Sequence, residues 1–459
     1  MLMDRGISDV PGDIGAAQEQ GGGDDDILSR PSHSRLHSAA IDFGEFRHGW
    51  SILLLSLFGV MTMVSATILY GFGALILPLQ QAKGWSRAEL QPAISCMFFG
   101  VVLASQVAGW LNLRYGVRRV TLASLSALTV GYLAMTQLGT SVWQLYLGFM
   151  LLAMAGVGTL QVTWTYLVNL WFERNRGLAL AVILCGTGIA AGIMPSLVTW
   201  SVQHWDWRGG FVVMASLTGL VTLPLVWGLL HASATLRTMS NDAGNPDRRA
   251  DKPGKRAPPV AIALTGLPFR VAIRTRQFWA CNIALVLVVS SVVGLVTNIV
   301  PLLRDHGLSA MQASQVFGMF GVSLIIGRLF VGYLNDRLWA PGVAATALFL
   351  PAIGCMLFMT VDANIPLFVL ATLLVGIGTG AEFDIASFLV ARYFGMRDYG
   401  RLFGVHLGIS TTGAALGPLL FASLLHSTGS YTAMLIYCTS CFIVGPLLIL
   451  TLGPYPKLE

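Results

Sequence analysis

Charge is what this sequence has least of. Only 11% of its 459 residues are Asp, Glu, Lys or Arg, and 55% are hydrophobic, whereas soluble domains carry about 25% charged residues. That scarcity excludes an ordinary soluble chain. The six cysteines, Cys96, Cys185, Cys281, Cys355, Cys438 and Cys441, all fall inside apolar runs, which excludes an extracellular disulfide framework. Cys438 and Cys441 form a CxxC without a second pair or a histidine beside it, and read as small apolar packing. No G-x-x-x-x-G-K-[ST] run occurs, so no phosphate-cradling loop for ATP-driven work is legible. Nucleophile–base pairs and metal-ligand clusters are likewise missing, so the chain reads as a non-enzyme without cofactor or metal.

Long apolar runs are abundant. They cover roughly 50–77, 88–113, 119–138, 142–170, 177–201, 209–231, 277–303, 311–334, 342–361, 366–391, 402–426 and 431–452. Each is long enough to cross a hydrocarbon core of about 30 Å, and only helices leave no backbone group unsatisfied there. The expected fold class is an all-α membrane protein of twelve transmembrane helices, lying in the bilayer as its first partner. Residues 1–46 read as a disordered cytoplasmic tail, 47–231 as a first six-helix bundle, 232–274 as a cytoplasmic linker, 275–453 as a second bundle and 454–459 as a cytoplasmic end.

The net charge of +6 does not point to nucleic acid, because its distribution follows topology. Arg114, Arg118, Arg119, Arg174, Arg176, Arg337, Arg392, Arg397 and Arg401 occupy loops on one side, against Lys83, Arg87, Arg208 and Arg304 on the other. Arginine and lysine accumulate in cytoplasmic loops, which places both termini in the cytoplasm and the chain in the inner (plasma) membrane.

Residues 76–114 overlay 299–337 at an offset of 223, with Pro78/Pro301, Gly84/Gly307, Ser86/Ser309, Gly109/Gly332, Asn112/Asn335 and Arg114/Arg337 among the identities. Ser86-x-x-Glu89 and Ser309-x-x-Gln312 have the form of capping boxes at the start of a helix. Two duplicated six-helix bundles in parallel orientation are expected to rock about a site near the midplane. The stretch Gly109–Arg119, GWLNLRYGVRR, resembles the loop 2–3 signature of the major facilitator superfamily, and GYLNDR from Gly332 is its second copy. The resemblance implies the facilitator fold, two pseudo-symmetric six-helix bundles working by alternating access. It also implies a cytoplasmic gating role for Arg114, Arg118, Arg119, Asp336 and Arg337. The usual acid of the first copy is Leu113 here, so any aspartate latch rests with Asp336.

The central portions of the first six runs lack charge, whereas the second six hold Arg328, Glu382, Asp384 and His406. Ionisable groups at such depth mark solute or proton paths. Arg328 precedes Asp336 by eight residues and Glu382 precedes Arg392 by ten, about 12 Å and 15 Å of helix. Glu382 and Asp384 face nearly opposite ways, and Glu382 is the deeper. It is read either as a proton-coupling group or as half of a structural ion pair, with Asp384 the alternative. Arg328 is read as a carboxylate clamp or as a permanent internal salt bridge. His406, five residues from Arg401, reads as packing or a local hydrogen bond.

Arg328, four residues before Gly332, together with YGFGALILPL, WFERNRGLALAV and GAEFDIASFLVARYFGMRDYG, resembles the monocarboxylate transporter and oxalate:formate antiporter group. The resemblance implies that Arg328 binds a substrate carboxylate. Oxalate carriers add a lysine on helix 11, absent from 402–426, and animal monocarboxylate carriers have a lysine where Tyr70 stands. One deep cation favours a monoanion. Tyr70, Asn298, Gln161, Trp164 and Tyr166 are candidate polar and aromatic substrate contacts. The expected function is proton-coupled symport of an organic monocarboxylate by a monomer, with protons and a small carboxylate as its other partners. Exchange or efflux of amphipathic compounds, and a transporter-shaped sensor or scaffold, are the alternatives.

Overall fold

The computed structural model describes residues 43–172, 176–229, 266–360, 364–395 and 397–456. Most of the expected tail and linker, together with Arg174 and the last three residues, lies outside the described residues. The described residues pack as one compact unit.

Among the described residues, ten helical segments are long and apolar enough to cross a membrane, and Gly49–Met61 is a shorter apolar one. The first crossing is broken: α1 (Phe43–Met61) meets α2 (Val64–Lys83) at an extended Met63. The apolar pattern of 50–77 runs through this break and gives no sign of it. Threonine hydroxyls flank the break and bond to nearby carbonyls and to a neighbouring helix. Thr62 Oγ1 donates to the Phe58 carbonyl at 2.8 Å, and Thr67 Oγ1 lies 2.7 Å from the Tyr132 hydroxyl.

The short α3 (Arg87–Leu90) leads into α4 (Pro92–Tyr115), and α5 (Val117–Met135) follows. A second break divides α6 (Val142–Ala155) from α7 (Gln161–Trp171), with a tight 3-10 turn at Gly156–Thr159 and an extended Leu160. Neighbours again take up the exposed groups. Gly158 N–H donates to Ser124 Oγ at 2.9 Å, Thr121 Oγ1 donates to the Gly158 carbonyl at 3.1 Å, and Trp164 Nε1 donates to the Thr159 carbonyl at 2.9 Å. Irregular backbone at membrane depth is tolerated where protein buries it in this way.

Runs 177–201 and 209–231 join in one long helical segment. The helix α8 (Arg176–Ser216) turns back at Trp205 and Asp206, whose φ of 55° is the one positive value outside glycine among the described residues. It continues through a π-helical turn, Leu217–Thr222, to Leu229. The part of the expected linker among the described residues, from residue 266, is tied to the late helices. Leu267 N–H donates to the Phe394 carbonyl at 2.9 Å, and α9 (Phe269–Ala272) is tied to Asp398 through Phe269 N–H at 2.8 Å. The remaining crossings are α10 (Arg276–Asp305), α11 (Ala310–Arg337), α12 (Ala340–Thr360), α13 (Ile365–Phe394), α14 (Tyr399–Thr428) and α15 (Tyr431–Leu450). Counting α1–α2, α3–α4 and α6–α7 as single crossings and α8 onward as two gives the twelve of a major facilitator fold.

Both serine capping boxes form, at Ser86–Glu89 and Ser309–Gln312. Helices before residue 229 meet those after 266 along α8 with α11, α2 with α10, and α4 with α14. Gly188 and Gly192 of α8 face Gly321 and Gly318 of α11 so closely that a Cβ on Gly321 would sit 2.2 Å from the Gly188 carbonyl oxygen. Small residues at a helix crossing permit such backbone contact. Gly413 and Gly417 also pack tightly, but against Val286 and Ser290 of α10, and Gly186 packs on α1. Of these five glycines of α8 and α14, Gly188 and Gly192 are the ones that face the seam between early and late helices.

Candidate functional site

The glycine contact of α8 with α11 sets the position of Arg328. Its guanidinium, 8% exposed, donates to the Leu184 carbonyl and to Thr187 Oγ1 (3.3 Å), both on α8. Arg328 therefore bridges an early helix and a late one. On its other side α11 packs on α13 through Gly327, Gly376 and Gly380; a Cβ on Gly380 would meet the Leu324 carbonyl oxygen at 2.1 Å. This contact brings Glu382 within electrostatic range of Arg328. Tyr70 of α2 lies within range of both groups, with its ring 6.2 Å from that of Phe320 on α11. Three helices thus converge on one deep cation, one carboxyl and one phenol, all buried.

Glu382 is 4% exposed, and its Oε2 has no hydrogen-bond partner among the described residues. Burial of a polar oxygen without a partner costs roughly 1–3 kcal/mol, which is why such an atom calls for a functional account. Beside it, His406 is 1% exposed with both ring nitrogens unpartnered among the described residues. Glu382, His406 and Ser410 share a pocket with Leu285, Val289, Ala386, Phe403 and Leu407. The sequence alone reads His406 as packing or a local hydrogen bond, because it lies only five residues from Arg401 and so looks shallow. The signal available was a histidine seven residues into an apolar helix.

The other sequence-expected contacts are spread more widely. Asn298 is committed to the seam: its Nδ2 donates to Gly294 O at 2.7 Å and to Gln91 Oε1 at 3.1 Å, and its Oδ1 accepts from Gln91 Nε2 at 2.9 Å. Trp164 is fully buried between α7 and Gly59 of α1, its N–H spent on Thr159. That surrounds the indole with core rather than with the Arg328 site. Gln161 and Tyr166 are exposed on α7. The side chains of Asp384 and Asp336 lie outside the described residues.

At the arginine-rich end, Arg114 lies over Trp110 and Tyr115, Arg118 over Trp227, and Arg337 over Tyr333 at 4.3 Å. Arg119 is exposed. The opposite end is tied across the seam. Arg87 forms an ion pair with Asp305, the second contact at 2.8 Å, and donates to the Tyr431 hydroxyl at 3.1 Å. Below it come the Gln91–Asn298 amide pair and Thr199 with Ser314 at 2.6 Å. Side-chain bonds therefore cross the seam from the Arg87 end down to the depth of Arg328.

Comparison with known proteins matches this architecture. The family model of the Major Facilitator Superfamily covers residues 53–362 and 329–459. The chain is 23% identical over 405 residues to monocarboxylate transporter 13 of Bos taurus, covering 88% of this chain and 89% of that protein. It is 26% identical over 417 residues to the gallate transporter of Pseudomonas putida, covering 82% and 88%. Among solved structures, a mutant of the nucleoside transporter NupG superposes with a TM-score of 0.68 at 12% identity, over 88% of this chain and all of that one. A bacterial homologue of the lysosomal transporter Spinster, inward-facing and unoccupied, gives 0.62 at 15% identity, over 88% and 95%. The chain belongs to the major facilitator superfamily and is a multi-pass membrane transporter.

Proposed function

We propose that this transporter carries an organic monocarboxylate together with a proton, by rocking of the bundles 47–231 and 275–453 about Arg328. The observation that supports this most is a buried arginine bridging the two bundles within electrostatic range of a buried carboxyl. A guanidinium stays charged at any working pH and offers a planar fork that fits a carboxylate. In the conformation described, Leu184 and Thr187 occupy part of that fork. An entering carboxylate exchanges with these acceptors and, being charged, makes the stronger hydrogen bonds.

Glu382 supplies the coupling. While ionised it attracts Arg328 and competes with the substrate anion. Once protonated it releases that attraction, so the site binds one anion and one proton together and crosses the membrane without net charge. Tyr70 flanks the substrate, with Gln161 and Tyr166 on the approach from α7. The arginine-rich end faces the cytoplasm, with Arg114, Arg118, Arg119, Asp336 and Arg337 gating it, and both termini lie on that side. With the Arg87 end tied, the conformation described is the one that loads or releases on the cytoplasmic side.

Uptake into proteoliposomes tests this reading. Arg328→Lys should lose carboxylate uptake, and Glu382→Gln should retain carboxylate binding but lose acceleration by an inward proton gradient. If both variants keep gradient-driven uptake, the mechanism is wrong.

A further inference from the structure

The pocket joining α10, α13 and α14 holds a histidine that the coupling scheme above does not use. His406 and Glu382 are both more than nine-tenths buried, and three of their polar atoms, Glu382 Oε2 and both His406 ring nitrogens, have no hydrogen-bond partner among the described residues. Their depths differ in a directed way. Glu382 lies twelve residues before the α13 end at Phe394, about 18 Å of rise, and His406 lies seven residues after the α14 start at Tyr399, about 10 Å. Both of those helix ends belong to the arginine-rich side. His406 therefore stands between Glu382 and that side, lining the same pocket.

We propose that His406 is the proton relay that connects Glu382 with the arginine-rich end. This rests on the reading of Glu382 as the coupling group and adds the route by which its proton leaves. The Glu382 carboxyl gives its proton to one imidazole nitrogen, leaving a carboxylate and an imidazolium. The imidazolium then loses a proton from its other nitrogen to water at the arginine-rich end, and neutral imidazole is restored. Histidine suits the step because its two nitrogens serve in turn as acceptor and donor, and its unperturbed charge change falls between pH 5 and 8.

The surroundings of the pair leave few competing groups. Among the described residues, the pocket is lined from α10 by Leu285 and Val289, from α13 by Glu382 and Ala386, and from α14 itself by Phe403, Leu407 and Ser410 besides His406. Arg328 of α11 acts on Glu382, and Glu382 in turn acts on Tyr70 of α2. On α15, Tyr437 and Cys438 bond Ser290 and Ser291 on other faces of α10. Next to α9, Arg401 lies over the Phe269 ring at 4.9 Å. The titratable groups of α4, Cys96, Arg114 and Tyr115, are not among the pocket's lining residues.

Net uptake requires the proton to be released on the far side in every cycle, whereas counterflow of labelled against unlabelled carboxylate does not. Proteoliposomes carrying His406→Gln, His406→Ala, Glu382→Gln and the parent chain would be compared in both assays with one transported carboxylate. Positioned proton transfer contributes at least about a hundredfold in rate, so gradient-driven uptake in both His406 variants is expected to fall about tenfold or more while counterflow stays at the parent rate. Added imidazole is expected to restore net uptake in His406→Ala. Parent-like net uptake in the His406 variants, or equal loss of net uptake and counterflow in both without imidazole rescue, overturns the relay. The underlying reading fails separately, if Glu382→Gln keeps its response to the proton gradient.

Discussion

Arg328 has two acceptors on α8 already in place, the Leu184 carbonyl and the Thr187 hydroxyl, so substrate affinity is a contest between these and a carboxylate. Replacing Arg328 with lysine removes the planar fork and keeps the charge. Hydrogen bonds to charged groups contribute about 1.5–3 kcal/mol, so transport efficiency (Vmax/KM) for Arg328→Lys should drop about 10- to 100-fold. Thr187→Val removes one competitor without touching the arginine. Because an ordinary hydrogen bond nets about 0.5–1.5 kcal/mol, KM for the carboxylate should fall about two- to tenfold. A KM for Thr187→Val equal to or above the parent value would contradict the contest. Trp164 sits in the core against Gly59, so Trp164→Phe should lower thermal stability, measured in detergent, without changing the order of preference among carboxylates.

At the scale of elements, the glycine face between α8 and α11 both permits sliding and places Arg328. A leucine at Gly321 has no room, since its Cβ alone would lie 2.2 Å from the Gly188 carbonyl oxygen, whereas Gly228 faces open space. Gly321→Leu should abolish uptake even where the protein reaches the membrane, and Gly228→Ala should behave as the parent. Uptake by Gly321→Leu above a tenth of the parent rate would remove the seam from the account. The same scale shows what the sequence made legible. Hydrophobic run length located the crossings, and the serine boxes located two helix starts, because both signals are local. The breaks at Met63 and Leu160 stayed hidden: no proline marks them, and the groups bonded to their flanks, Thr222, Ser124 and Tyr132, belong to distant helices. Arg328 and Glu382 were visible because charge is rare in apolar runs. The seat of His406 beside Glu382 was not, since it depends on how α13 and α14 pack. Asn298 and Trp164 looked alike in sequence as polar or aromatic points on apolar helices, and only packing separates a seam amide and a core indole from a substrate contact.

For the whole molecule, the bonds across the seam define which end is shut. Arg87 with Asp305 and Tyr431, then Gln91 with Asn298, must part before the Arg87 end can open. A partly exposed ion pair is worth roughly 0.2–1 kcal/mol, a latch weak enough to open in each cycle. Arg87→Ala should therefore raise the accessibility of the Arg87 end to membrane-impermeant thiol reagents, read at a cysteine introduced at Thr297. A short bifunctional cross-link between Arg87→Cys and Asp305→Cys should stop transport, and its reductive cleavage should restore it. Unchanged transport with the cross-link in place would contradict rocking between the bundles.

The central claim, that a deep arginine carries a carboxylate with a proton, is tested most directly by uptake into proteoliposomes. A panel of monocarboxylates and their neutral methyl esters would be measured with and without an inward proton gradient, for the parent chain and Arg328→Lys. The account predicts that at least one carboxylate is taken up, that the gradient accelerates it, that its ester is not carried, and that Arg328→Lys loses the uptake. Equal transport of acid and ester, indifferent to the gradient and to Arg328→Lys, would contradict it.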